Sequence, residues 1–164
     1  EEYKDLLRKW NLKMCEVSDG SIEIDHKEKC NYISDLSEEF LVVSEVGSKD
    51  ENKDLRTDLW IELMQKELEA GSWKVIAEAR EGGNVGVFGK EGKVKSNLID
   101  QIIKNVPSDK ILWEAPIKQQ QVWFIKLLGS NVNLGNIAHN EIIPLETLRI
   151  GLRGDTFFDY INIK

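Results

Sequence analysis

Four short apolar runs, each with a glutamate near its end, recur along this chain and limit its possible folds more than any other feature. They are Lys13-Met14-Cys15-Glu16-Val17, Val42-Val43-Ser44-Glu45-Val46, Val75-Ile76-Ala77-Glu78-Ala79 and Ile111-Leu112-Trp113-Glu114-Ala115. The glutamates stand 29, 33 and 36 positions apart. A strand, a helix and their loops need about 30 residues or more, so the repeat has the length of a βα unit. A fifth run, Asn131-Val132-Asn133-Leu134-Gly135-Asn136, carries asparagine in place of the acid.

Between the runs the apolar period becomes helical. Residues 58–71 open with Asp58 as an N-cap and stop at Gly71, the usual start and stop of a helix. Residues 96–106 end before Pro107, residues 119–128 end before Gly129, and 2–10, 27–36 and 145–153 complete the helical set. Strands alternating with helices predict a parallel sheet covered by helices. A doubly wound sheet would satisfy the same alternation, but no glycine-rich dinucleotide fingerprint follows any strand, and acids at successive strand ends suit a barrel mouth. The expected class is therefore α/β, a TIM (β/α)8 barrel. A complete barrel takes about 250 residues, so residues 1–164 are expected to be a single domain forming its C-terminal part. On this reading strands 4–8 and their helices are present, and three N-terminal βα units are absent.

The net charge of −7 argues against a nucleic-acid surface, since that affinity rests on lysines and arginines neutralising phosphates. The chain has no apolar run of about 18 residues to span a membrane, and its first residues do not form a signal peptide. Cys15 and Cys30 are too few for a disulfide framework and are expected as buried thiols in the cytoplasm.

The string Glu16-Val17-Ser18-Asp19-Gly20-Ser21-Ile22-Glu23-Ile24 resembles the fourth-strand signature of the phosphosulfolactate synthase family. Four more matches follow in that family's order: Ser44-Glu45-Val46-Gly47-Ser48-Lys49-Asp50; Glu78-Ala79-Arg80-Glu81-Gly82-Gly83; Trp113-Glu114-Ala115-Pro116 with Gln119-Gln120-Gln121; and Asn131 to Ile137 continuing into Leu145 to Phe157. The resemblance covers residues 1–157; the tail from Phe158 to Lys164 departs from it.

The resemblance implies a lyase that adds sulfite to the methylene carbon of phosphoenolpyruvate with Mg2+, a reaction leading towards coenzyme M or sulfolactate. Two anions must meet, so positive charge must be prepared where negative charge develops, and a proton donor must then serve the substrate carbon. Mg2+ takes oxygen ligands, so Glu45, Glu78 and Glu114 are the expected acids around the metal or its waters, with Glu16 as a further metal ligand and Glu45 also counted as catalytic. Lys49 stands at a position that resembles that of the family's proposed proton donor; a solvated loop lysine is the plainer alternative. Arg80, Lys118, Asn133, Asn136 and Arg153 are expected to bind the anionic substrates. Arg149 and Arg153, four apart, would share a helix face, and an outward face would only pair them with acids. Asp19 either orients a ligand or makes an Asp-Gly turn. A homo-oligomer acting on small molecules, with no nucleic-acid or membrane partner, is the expected state. Two rivals remain: another barrel lyase working through an enolate on a phosphorylated acid, and a non-catalytic relative of the plant heat-stress type.

Several features are set aside. The segment from Gly82 to Lys90 fails the P-loop pattern because Glu91 stands where Ser or Thr is required, and it reads as a flexible loop or lid. His26 and His139 lack metal-ligand spacing. Trp60, Trp73, Trp113 and Trp123 are expected in the core.

Overall fold

A computed structural model describes residues 1–20, 22, 24–47, 55–79 and 82–161. Five strands form one parallel sheet, β1 (Met14–Val17), β2 (Leu41–Val46), β3 (Lys74–Ala77), β4 (Ile111–Glu114) and β5 (Leu134–Gly135), in the spatial order of the chain. The linking helices are α1 (Glu2–Lys9), α2 (His26–Ser37), α3 (Thr57–Glu69), α4 (Ser96–Asn105), α5 (Lys118–Leu128), α6 (Ile142–Arg149) and α7 (Phe157–Ile161). Right-handed crossovers that never reverse the strand order place all helices on one face. A doubly wound sheet needs a reversal, so the sheet is a five-unit arc of the TIM-barrel type.

Strand alternation sorts the two faces. Val46, Val75, Ala77, Ala79, Ile111, Trp113 and Ala115 enter the main core with Trp60, Met64, Ile99, Ile102 and Phe124 from the helices. The residues between them, Glu45, Ile76, Glu78, Leu112 and Glu114, therefore point to the concave side. A smaller core joins Leu7, Cys15, Ile33, Leu36, Phe40 and Val42 around the first two units.

Several local expectations change. Helix α3 begins at Thr57 with Arg56 as its N-cap residue, and Asp58 sits in its first turn, held by Arg56. Helix α6 ends at Arg149, so Arg153 does not share a helix face with it. Arg149 instead donates to the carbonyls of Ser130 and Val132. Strand β5, paired with β4, is only two residues long, so most of the run from Asn131 to Asn136 lies outside the strand. Trp73 lies on the surface, with the Lys74 ammonium 4.7 Å from its ring centre, and Trp123 is half-buried. Cys15 is buried but Cys30 is half-exposed, and both are free thiols. The loop after β3 is packed rather than lid-like: Val85, Val87 and Phe88 are buried, and Phe88 meets Phe124 edge to face. No helix among the described residues is long and apolar enough to cross a membrane.

Candidate active site

Parallel registry decides which strand-end acids can meet. Glu45 pairs with Ile76 and Val46 with Ala77, so Gly47 is level with Glu78. Trp113 pairs with Ala77, which brings Glu114 level with Glu78 on the same face. Glu45 is one pleat below that level. Glu16 pairs with Val43 and lies a further pleat down, so two pleats, or about 13 Å along the strand at 3.3 Å per residue, separate it from the upper pair.

The side chains follow this registry. One carboxylate oxygen each from Glu45, Glu78 and Glu114 lies within 4.8 Å of the other two. Glu45 and Glu78 are buried and Glu114 is half-buried. Glu16 is exposed on the same concave face but outside the cluster, in a cavity of about 360 Å³ lined by Tyr3, Ser18, Ile22 and Tyr32. An octahedral Mg2+ with oxygens about 2.1 Å away spans about 4.2 Å from ligand to opposite ligand. Three carboxylate oxygens within 4.8 Å thus fit a hard divalent cation with small adjustments.

Each member of the cluster is fixed through the main chain. The Glu45 carbonyl accepts from the Lys29 ammonium, and Glu45 Oε1 accepts from the Ser18 hydroxyl at 2.7 Å. The Glu78 carbonyl accepts from Val87 N–H at 3.0 Å. Gly86 backs so closely onto that carbonyl that a Cβ there would sit 1.8 Å from the oxygen. Glu114 Oε2 accepts from Ala79 N–H at 2.8 Å. Gln120, fully buried on α5, donates to the Gly83 carbonyl at 2.8 Å and holds the loop after β3 against the helix.

Behind Glu45 lies a charged network. Lys29 is 2% exposed and meets Asp19 Oδ1 at 2.9 Å and Glu67 Oε1 at 2.8 Å. His26 Nε2 lies 3.2 Å from the same Glu67 oxygen. Burial pulls the Lys29 ammonium down, but Glu67 and Asp19 outweigh it and hold its pKa above the ordinary 10.5. Asp19 is therefore an ion-pair partner within a turn, its carbonyl accepting from Ile22 N–H.

The other expected substrate residues scatter. Lys118 opens α5 and pairs with Asp155 at 2.6 Å, which draws the Asp155 carboxyl below its usual range. Arg153 is exposed and donates to the Thr147 hydroxyl at 2.8 Å. Asn133 stands before β5, where its amide donates to the carbonyls of Asp109 and Ile111. That is the end of the sheet opposite the carboxylates. Asn136 follows β5 on the cluster's side, in a left-handed conformation at φ 55°. Lys49 and Arg80 lie outside the described residues.

Ser18, Lys29, Glu67 and Gln120 are not among the site residues that the sequence motifs point to. The two charges were legible in principle, because Lys29 precedes Ile33 and Leu36 on the buried stripe of α2, and Glu67 follows Trp60 and Met64 on that of α3. Opposite charges on two buried stripes, at helical spacing, signal an internal ion pair.

The model of the (2R)-phospho-3-sulfolactate synthase family matches residues 1–155. The chain belongs to the phosphosulfolactate synthase family. It is 48% identical over 161 residues to the phosphosulfolactate synthase of Methanocaldococcus jannaschii, covering 96% of this chain and 64% of that protein. It is 44% identical over 160 residues to the Methanothermobacter thermautotrophicus synthase, covering 95% and 62%. The Bacillus subtilis synthase is 47% identical over 146 residues, covering 87% and 58%. The chain thus spans about three-fifths of the length of the curated relatives it matches. Against this family, the acids at the ends of β2, β3 and β4 fall inside the matched region and converge on one point.

Proposed function

We propose that this chain carries the carboxylate side of a phosphosulfolactate synthase active site, which adds sulfite to phosphoenolpyruvate. The convergence of Glu45, Glu78 and Glu114 within 4.8 Å is the observation that carries the reading, together with family membership. In the addition, the sulfite lone pair forms a carbon–sulfur bond to the methylene carbon. The carbon–carbon π pair moves towards the substrate carboxylate, and a proton then reaches the adjacent carbon. Atoms and charge balance with no redox partner.

Glu45, Glu78 and Glu114 are the residues that would hold Mg2+; Glu16, two pleats away, is not among them. Bound there, Mg2+ would supply positive charge beside the carboxylate that gathers the electron pair. The buried strand ends keep the acids fixed as charge develops, so little reorganisation is needed at the moment of reaction. Lys49, on the segment after β2, is proposed as the proton donor, and Arg80, after β3, as an anion contact. Asn136 stands where a substrate oxygen could be met. Cytoplasmic action on small anions, in a homo-oligomer, completes the proposal.

The decisive experiment is incubation of the intact protein with phosphoenolpyruvate and sulfite, with Mg2+ or with a chelator, followed by phosphorus NMR and mass spectrometry. A Mg2+-dependent product with the mass of phosphosulfolactate is expected. A complete reaction mixture that leaves phosphoenolpyruvate unchanged defeats the proposal.

A further inference from the structure

The proposed reaction makes no use of Lys29 or Glu67, although both are almost fully buried and charged. A buried ion pair is poor value for stability, because desolvation offsets most of the attraction. Here, though, each of the three ammonium hydrogens has an acceptor: Asp19 Oδ1, Glu67 Oε1 and the Glu45 carbonyl. Those acceptors belong to three separate parts of the fold, the turn after β1, helix α3 and the upper end of β2.

The third contact is the informative one. The Glu45 carbonyl belongs to the very residue whose side chain enters the carboxylate cluster. The Asp19 contact pins the turn next to Ser18, whose hydroxyl reaches Glu45 Oε1. One ammonium therefore holds Glu45 from its main chain and, through the turn, from its carboxylate.

We propose that Lys29 is a positioning residue for Glu45, fixing its backbone and its Ser18 partner so that the carboxylate stays in register with Glu78 and Glu114. Glu67 neutralises the buried ammonium and does not itself orient the cluster. This rests on reading the cluster as a divalent-cation site.

The test is cation titration by calorimetry, with Mg2+ and Mn2+, on the intact protein. Two neutral pairs, Lys29→Met/Glu67→Leu and Lys29→Gln/Glu67→Gln, remove the ammonium without stranding a buried carboxylate. Glutamine is one bond shorter than lysine, so it cannot take up the contact to the Glu45 carbonyl. Partners behind a metal ligand are worth about 10–100-fold in affinity, so each folded pair should bind cations at least about tenfold more weakly, whereas Glu67→Gln alone should stay within about twofold of the parent. A purely structural role would lower the melting temperature in all three variants and leave affinity alone. A folded neutral pair that binds like the parent overturns the assignment of Lys29, as does Glu67→Gln weakening binding as much as the pairs. A parent that binds neither cation overturns the cation reading itself, and this inference with it.

Discussion

Replacing Gly47 with alanine should damage fold and site together, by an amount that follows from its surroundings. Gly47 follows β2 with φ 141°, a backbone region that side chains rarely adopt. Holding a non-glycine residue in such a region costs on the order of 1–3 kcal/mol. An added Cβ would lie 2.4 Å from Glu78 Cβ and 3.0 Å from Trp60 Cη2. Carbon atoms prefer about 3.5–4.0 Å, so one neighbour must move by more than about 1 Å. Trp60 is 1% exposed in the main core and has no space to retreat into, so Glu78 must give way. Overpacking of this kind costs about 1–3 kcal/mol, for a total of about 2–6 kcal/mol. At about 2–4 °C per kcal/mol for a chain of this size, the melting temperature should fall by at least about 4 °C. Displacing Glu78 should also weaken Mg2+ binding. Calorimetric melting and cation titration of Gly47→Ala read both effects. A variant that melts with the parent and binds Mg2+ equally well would refute the reasoning, because it would mean that the chain at Gly47 is neither strained nor pressed against Glu78.

Glu114→Gln keeps an oxygen for the Ala79 N–H but removes a carboxylate, and calorimetry should show cation affinity reduced at least about tenfold; unchanged affinity would remove Glu114 from the site. Trp113→Ala, which deletes a fully buried ring stacked on Phe124 at 5.0 Å, should cost about 3–5 kcal/mol in urea unfolding. The Lys29 ammonium, whose pKa burial lowers but Glu67 and Asp19 raise further, titrates above 10.5 in the folded chain. A raised folded-state value gives stability that is complete below pH 10.5 and lost as pH climbs through the folded value. Melting temperature should therefore drop more steeply above that pH in the parent than in Lys29→Met/Glu67→Leu. A cation present at about 100 times its Kd should stabilise the chain by about 2.7 kcal/mol, and a melting temperature indifferent to Mg2+ and Mn2+ would contradict a preformed site.

The strand-end glutamates were the most legible part of this molecule. Their spacing announced the βα units, and their place in each apolar run put them on one face, because alternation along a strand is local. Their heights were not legible. Whether Glu16 sits level with Glu45 depends on pairing Cys15 with Val42 rather than with Ser44, and registry is set by packing across the sheet. The failure at Asn133 has the same origin. The run around it has the pattern of a full strand, whereas the two-residue β5 begins after it and leaves its amide to close the bottom of β4. The loop from Gly82 looked mobile because glycine is permissive, yet Gly86 at φ 66° serves close packing against the Glu78 carbonyl. Glycine content tells that a backbone conformation is unusual without telling whether it is fixed.

The scatter of the expected cations bears on how such a site could handle two anionic substrates. Lys118 and Arg153 have donors turned to Asp155 and Thr147, and Lys29 has all its hydrogens engaged beneath the strand ends. Lys29 meets Glu45 at its carbonyl, while Asp155 and Thr147, the partners of Lys118 and Arg153, lie outside the carboxylate cluster. Within the proposed reaction, then, the charge that lets sulfite approach phosphoenolpyruvate falls to a cation on the glutamates, with Lys49 and Arg80. That division explains why the carboxylates are anchored so heavily through backbone atoms. Carboxylates brought within 4.8 Å repel one another when they carry charge, and side-chain torsions alone would let them spread. Lys29 on one carbonyl, Val87 on another and Ala79 on a carboxylate oxygen resist that spreading before any cation arrives. A site built this way spends stability to keep its ligands in place. The expected signature is a fold that a cation strengthens and that loses affinity when any one anchor is cut.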